Sequence, residues 1–351
     1  MKRKNFFALL FVAALAAMIG IVGCSDGSKT EKSSVVDEIA DSVASSVTKT
    51  LERARLVKDT GVAESRSDFQ LDSDFDFTDL VVVDTTVYAV SGEQLVIYSL
   101  SKRDYITVPV GGPANAVVSH AGKVYVGGES VFELVDSVLE PVEIEFPGVV
   151  TELYSHGYRL MIGTTAGLYA KSIFGNEALF DDIKVTAMAE DNNGLWVGTD
   201  GHGLYRWSGS EFKRRYLLRD TAVFDFVNAL DFNHDHLYVG TDEALYIFDG
   251  GRWETVKTED GLPSNAIRSI DASNWMVYIA TDAGIISWFN YDLYPVEKIG
   301  DLKANVLRTL GRKILVGTSD SGLILKSGPV VTTLIEPATD EQSAPVAATM
   351  H

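Results

Sequence analysis

Three groups of side chains in this sequence have the types and spacing to do chemistry. His120, His156 and Asp191 lie 36 and 35 residues apart, and Asn233 continues the series. Imidazole and carboxylate are ligand types suited to zinc or another transition metal. On neighbouring strands such residues would stand about 6–9 Å apart, close enough to share an ion. The same residue types also order hairpin turns, and that turn role is the one expected here, with no metal and no cofactor. A second group is Asp200, Asp242 and Asp282, each directly after a threonine, with Asp320 after Thr318-Ser319. A ring of such carboxylates could hold a cation or a cationic ligand. Thr and Asp equally satisfy backbone donors in a tight turn. The third is the segment 260–265, with Asp260, Leu262, Pro263 and Asn265, read as the longest connection on the Asp-bearing face and the first candidate for recognition.

Catalytic signatures are missing from the sequence. It contains no GxSxG, no HExxH and no phosphate-binding loop, so a binding protein is expected rather than an enzyme. A lyase or lactonase assembled from scattered loops is the rival reading. Lys213, Arg214 and Arg215, with Arg206 and Arg219, form the one dense basic cluster. It could dock an acidic partner, or it could discourage edge-to-edge pairing of an outer strand.

The chain has 351 residues, 46% hydrophobic and 23% charged, with a formal net charge of −19. That composition suits a globular protein, and the acidity disfavours nucleic acid as a partner. Lys2, Arg3 and Lys4 precede an apolar run over 6–22, the order of an export signal. Ile21-Val22-Gly23-Cys24 at the end of that run resembles a bacterial lipobox. The resemblance implies cleavage after 1–23 and acylation of Cys24, the only cysteine in the chain. Ser25 after the cysteine favours the outer over the inner membrane. Residues 24–75 read as a tether with helical spacing at Val36, Ile39, Val43, Val47 and Leu51, and 337–351 as a polar, disordered tail.

The elements that must position these groups come from a repeat. Val90, Gly127, Gly163, Gly198, Gly240, Ala280 and Gly317 anchor seven units spaced 35 to 42 residues apart. Three and one residues before each anchor the side chain is apolar (Leu195 and Val197, Leu237 and Val239), and ten before it stand residues such as Met188 and Leu230. These columns predict a β-hairpin opening each unit, followed by two more strands. Four strands at this period make a propeller blade, so 76–336 is expected to be an all-β, seven-bladed β-propeller. In that fold the B–C and D–A connections share one face, and the A–B and C–D turns the other. Twelve before the anchor, Thr78, Asn115, Thr151, Thr186, Asn228 and Asn305 enter the innermost strands; only Arg268 breaks the column. They are expected to bridge blades.

AEDNNGLWVGTDGHGLYRW and EDGLPSNAIRSI, over roughly 183–287, resemble the two-component-regulator propeller repeat found in extracytoplasmic sensor regions of hybrid histidine kinases. The resemblance implies a propeller that recognises something outside the cytoplasm. The sequence-based expectation is therefore a lipid-anchored, non-catalytic binding or scaffold propeller that meets an envelope protein or small ligand. The alternative is a sensor component that feeds a separate kinase.

Overall fold

The computed structural model describes residues 75–335 apart from 210–211, 216–225, 234, 274 and 329. The leader, Cys24, the tether, Arg219 and the tail lie outside the described residues. The described residues all belong to one compact unit, Ser65–His351. They form seven four-stranded antiparallel sheets, each a meander of four consecutive strands. This is the expected seven-bladed propeller. The inner strands are Phe77–Val83, Ala116–His120, Val150–His156, Val185–Asp191, Ala229–Asn233, Ile267–Asp271 and Ala304–Leu310. The second strands, such as Gly194–Thr199, end at the anchors and their threonines.

Neighbouring inner strands touch all the way round, including the last against the first. Each of the seven hydrophobic clusters straddles one blade boundary. Ala187, Trp196 and Leu204 of blade 4 pack with Val227, Leu237 and Tyr246 of blade 5, and Phe77 and Leu80 of blade 1 with Val306, Leu315 and Ile335 of blade 7. A blade thus has no core of its own, the physical reason the unit must repeat. It also explains why second strands such as Leu195–Val197 are apolar on both faces: both are covered by a neighbouring blade.

The anchor column follows from the same stacking. A Cβ on Gly163 would come within 2.6 Å of Val185 in the next blade, on Gly198 within 2.5 Å of Val227, on Gly240 within 2.6 Å of Ile267, and on Gly317 within 2.8 Å of Phe77. Two anchors are not glycine. Val90 and Ala280 face Ala114 and Ala304, so a larger anchor meets a smaller neighbour. Each interface keeps its volume while dividing it differently, as close packing requires.

Candidate functional site

Hydrogen bonds between blades build the channel from its inner strands outward. Thr78, Thr151 and Thr186 donate their hydroxyls, and Asn115, Asn228 and Asn305 their amides, to carbonyls of Ala114, Val185, Val227, Val150, Ile267 and Phe77. Every acceptor is the corresponding residue of the next blade, and Asn305 closes the circle onto blade 1. The bridging role expected for this column is what the geometry shows.

Arg268, the exception, does something else. It donates Nε to Asp282 Oδ1 at 2.5 Å and Nη2 to Asp282 Oδ2 at 2.7 Å, and reaches Asp242 Oδ1 at 3.2 Å. The bidentate pair holds the Asp282 carboxyl below its ordinary range and raises the guanidinium. Asn228 also donates to Asp242 at 2.8 Å, and Lys184 donates to Asp200 at 2.6 Å. Asp200, Asp242 and Asp282 are therefore held in ion pairs at the channel mouth and do not form an open ring of carboxylates. The threonines before them are buried and serve the turn: Thr241 and Thr281 donate to Ala244 and Gly284 carbonyls at 3.0 and 2.8 Å.

The 257–266 connection is ordered from within. Asp260 Oδ2 accepts from Lys257 N–H at 2.9 Å, and Asn265 Oδ1 from Thr258 N–H at 2.8 Å. Leu262 corrects the expectation of a recognition residue, because it is 4% exposed and packs with Val256, Ile267 and Ile279. It pins the loop to the core shared by blades 5 and 6. Pro263 is half-buried beside it.

The histidine arc does not converge. His120 Nδ1 lies 2.9 Å from Ser155 Oγ of blade 3, and burial lowers its affinity for a proton. His156 lies 3.0 Å from Glu190 of blade 4, its ring 5.5 Å from that of Trp207. Asp191 accepts from Trp196 Nε1 at 2.9 Å and from Asn193 N–H at 2.7 Å, and it pairs with Arg206. Arg206 in turn lies over the Trp196 ring, so it stabilises blade 4 rather than joining an open basic patch. Among the described residues no cluster of three His, Cys, Asp or Glu could hold a metal ion.

The charged groups the sequence reading missed line the channel. A cavity of about 360 Å³ is bounded by all seven inner strands, with Asp79, Glu152, Asp231, Asp271 and Arg308 among its walls. Asp79 accepts from Leu80 N–H at 2.8 Å, Val117 N–H at 2.9 Å and Arg308 Nη2 at 3.0 Å, spanning blades 7, 1 and 2. Asp231 accepts from Ala272 N–H at 2.6 Å, and Asp271 from Thr309 N–H at 2.9 Å. Burial raises the Asp79 carboxyl, with Arg308 pulling it back, and pushes Asp231 up to about 6. Glu152 accepts no hydrogen bond from a described residue. Enclosure and the Asp79 charge push it up to about 8, against the opposing pull of Arg308, so it carries a proton at neutral pH. A signal for these residues was present: Asp79 and Glu152 share a column with Ala116, Ala187 and Ala229, and Asp231 and Asp271 one with Val81, Val118 and Ala189. Charge in an otherwise small or apolar inner-strand column marks the channel.

Residues 179–201 match the family of two-component regulator propellers. That match covers the opening hairpin of blade 4. A comparison with curated proteins finds no match. Among solved structures, the extracellular domain of a one-component system of B. thetaiotaomicron aligns at 19% identity and a TM-score of 0.60 over 75% of this chain and 40% of that one. The extracellular domain of a hybrid two-component system of the same organism aligns at 15% identity and a TM-score of 0.63, over 76% and 41%. The computationally designed Ika8 protein aligns at 16% identity and a TM-score of 0.55, over 72% and 83%. At these identities the likeness is one of fold, and this chain spans about two fifths of the two extracellular domains.

Proposed function

We propose that this chain is a non-catalytic binding propeller held at the cell envelope, outside the cytoplasm, by a lipid on Cys24. It recognises a protein or small ligand through the face formed by the B–C and D–A connections. The observation that carries the reading is how the polar groups are used. The Arg268–Asp242 pair at the mouth and the carboxylates of Asp79, Asp231 and Asp271 hold one blade to another, which makes the ring a rigid support for its loops. Loops on such a support lose little entropy on binding. The basic leader, apolar run and Ile21–Cys24 sequence support export and acylation.

The match of 179–201 to two-component regulator propellers favours a second reading, a sensor component that passes its signal to a separate kinase. Both readings require envelope attachment. Metabolic labelling with a palmitate analogue should mark the wild type and lose the mark in Cys24→Ala. Label retained in that variant would overturn the anchor. A pull-down from envelope extract then separates a kinase from other partners, and Asp242→Ala with Asp282→Ala should weaken the capture.

A further inference from the structure

The exposed large apolar side chains are not spread evenly over the described propeller. Ile173 is 87% exposed, Phe174 and Trp275 each 79%, Tyr291 64%, Tyr158 52% and Phe289 42%. All six sit in or beside A–B or C–D turns, on the face opposite Asp242 and Asp282. The six belong to blades 3 and 6, which lie on opposite sides of the channel; of the three other exposed ones among the described residues, Val138 is at the C–D turn of blade 2, Tyr294 on the outer strand of blade 6 and Phe226 alone on the acidic face. Tyr158 and Phe174 meet edge to face at 5.5 Å, and Tyr291 packs edge-on against Trp288, so each group is a braced knob rather than a loose side chain.

Charge is divided between the two faces in the same sense. The B–C and D–A connections expose Glu93, Glu129, Glu243, Glu259, Asp301 and Asp320, and acids far outnumber bases there. On the aromatic face the turn acids Asp84, Asp136, Asp235 and Asp249 are matched by Lys102, Arg103, Arg252 and Arg312, all exposed. One face is strongly acidic, and the other is charge-balanced with aromatic tips.

We propose that the face formed by the A–B and C–D turns docks on a lipid bilayer at its water interface. Trp and Tyr have an apolar body and a polar edge and suit the headgroup level, while Ile and Phe reach below it. A balanced face meets zwitterionic headgroups without the repulsion the acidic face would suffer, and scattered Lys and Arg can reach lipid phosphates. Two knobs on opposite sides of the ring define a plane, so the contact sets the propeller's tilt. The acidic face then points away from the membrane. The inference does not rest on the lipid at Cys24.

The test uses the unit Ser65–His351, which omits the leader and Cys24 and contains every strand, all seven inter-blade clusters and the closure of blade 7 on blade 1. It should sediment with vesicles of phosphatidylethanolamine and phosphatidylglycerol, and nearly as well with phosphatidylcholine alone. Phe174→Ser with Trp275→Ser should lower the partition coefficient by about tenfold or more, with an unchanged melting temperature. Glu93→Gln on the opposite face should change neither. Trp275→Phe should still bind but lose most of the fluorescence quenching by brominated lipid. Absence of vesicle binding, binding indifferent to the double substitution, or binding that needs anionic lipid and vanishes in salt would each overturn the proposal. So would a dimer in solution that the same substitutions dissolve without any vesicle binding, since the face would then be a contact between two copies.

Discussion

At Glu152 a carboxyl stands in the channel with no donor among the described residues, beside Asp79 and within the field of Arg308. Its folded pKa is raised from an ordinary 4.5 to about 8, so between those values the folded chain binds a proton that the unfolded chain releases. Stability therefore falls as pH rises through that window, and Asp231, raised to about 6, adds to the fall at its acidic end. The melting temperature should be highest at the acidic side of the window, and Glu152→Gln should flatten its decline toward pH 8. An unchanged slope in that variant would place the titration elsewhere. Gly163→Ala forces a Cβ against Val185 and should cost about 1–3 kcal/mol, with Gly163→Ala plus Val185→Ala recovering most of it. Denaturant titration of the three variants measures the coupling directly. Nature has made the corresponding exchange at Ala280, which faces Ala304. The glycine column was plain in the sequence. Its reason was not, because the partner that forbids a side chain lies on the next blade.

Within a blade, the elements were legible because every hairpin repeats the same apolar columns, and 35- to 42-residue spacing leaves room for four strands. The loops were less so. Leu262 looked like part of an exposed excursion, yet its neighbours Val256 and Ile279 come from two different blades, a contact that no local pattern encodes. Leu262→Ala should cost about 2–5 kcal/mol, the effect of a core truncation and not of a loop change. Chemical denaturation reads this, and a loss below about 1 kcal/mol would return the residue to the surface. The carboxylates at the mouth were visible one by one, but their pairing was not, since Arg268 reaches Asp242 and Asp282 from a position where six other blades carry Thr or Asn. Arg268→Asn should let an amide reach the carbonyl of Ala304, as Asn228 reaches that of Ile267. The exposed ion pairs it forfeits are worth about 0–1 kcal/mol, so stability should change little. The freed Asp242 and Asp282 should then make the mouth bind cationic probes more tightly, which calorimetry with a polyamine can read.

The whole molecule is a circle closed without a shared strand. Blade 1 takes its four strands from one end of the chain, and blade 7 from the other. The joint depends on Phe77 lying against Gly317, on Asn305 donating to Asp76 and the Phe77 carbonyl, and on Arg308 reaching Asp79. Phe77→Ala, removing a ring that is 0% exposed, should cost about 3–5 kcal/mol and expose the joint to limited proteolysis before any other boundary. Cleavage that begins elsewhere would show that another interface is the weak one. The same joint sets a timetable for the newborn protein. Blades 1 to 6 can stack in the order they emerge, but the outer side of blade 1, with Phe77 and Leu80, has no cover until Leu315, Leu323 and Ile335 arrive. For nearly the whole of synthesis, and of export if the leader directs it, the youngest chain carries a bare apolar flank at its oldest blade. Any chaperone that attends this protein has its longest task there, waiting for the last strand.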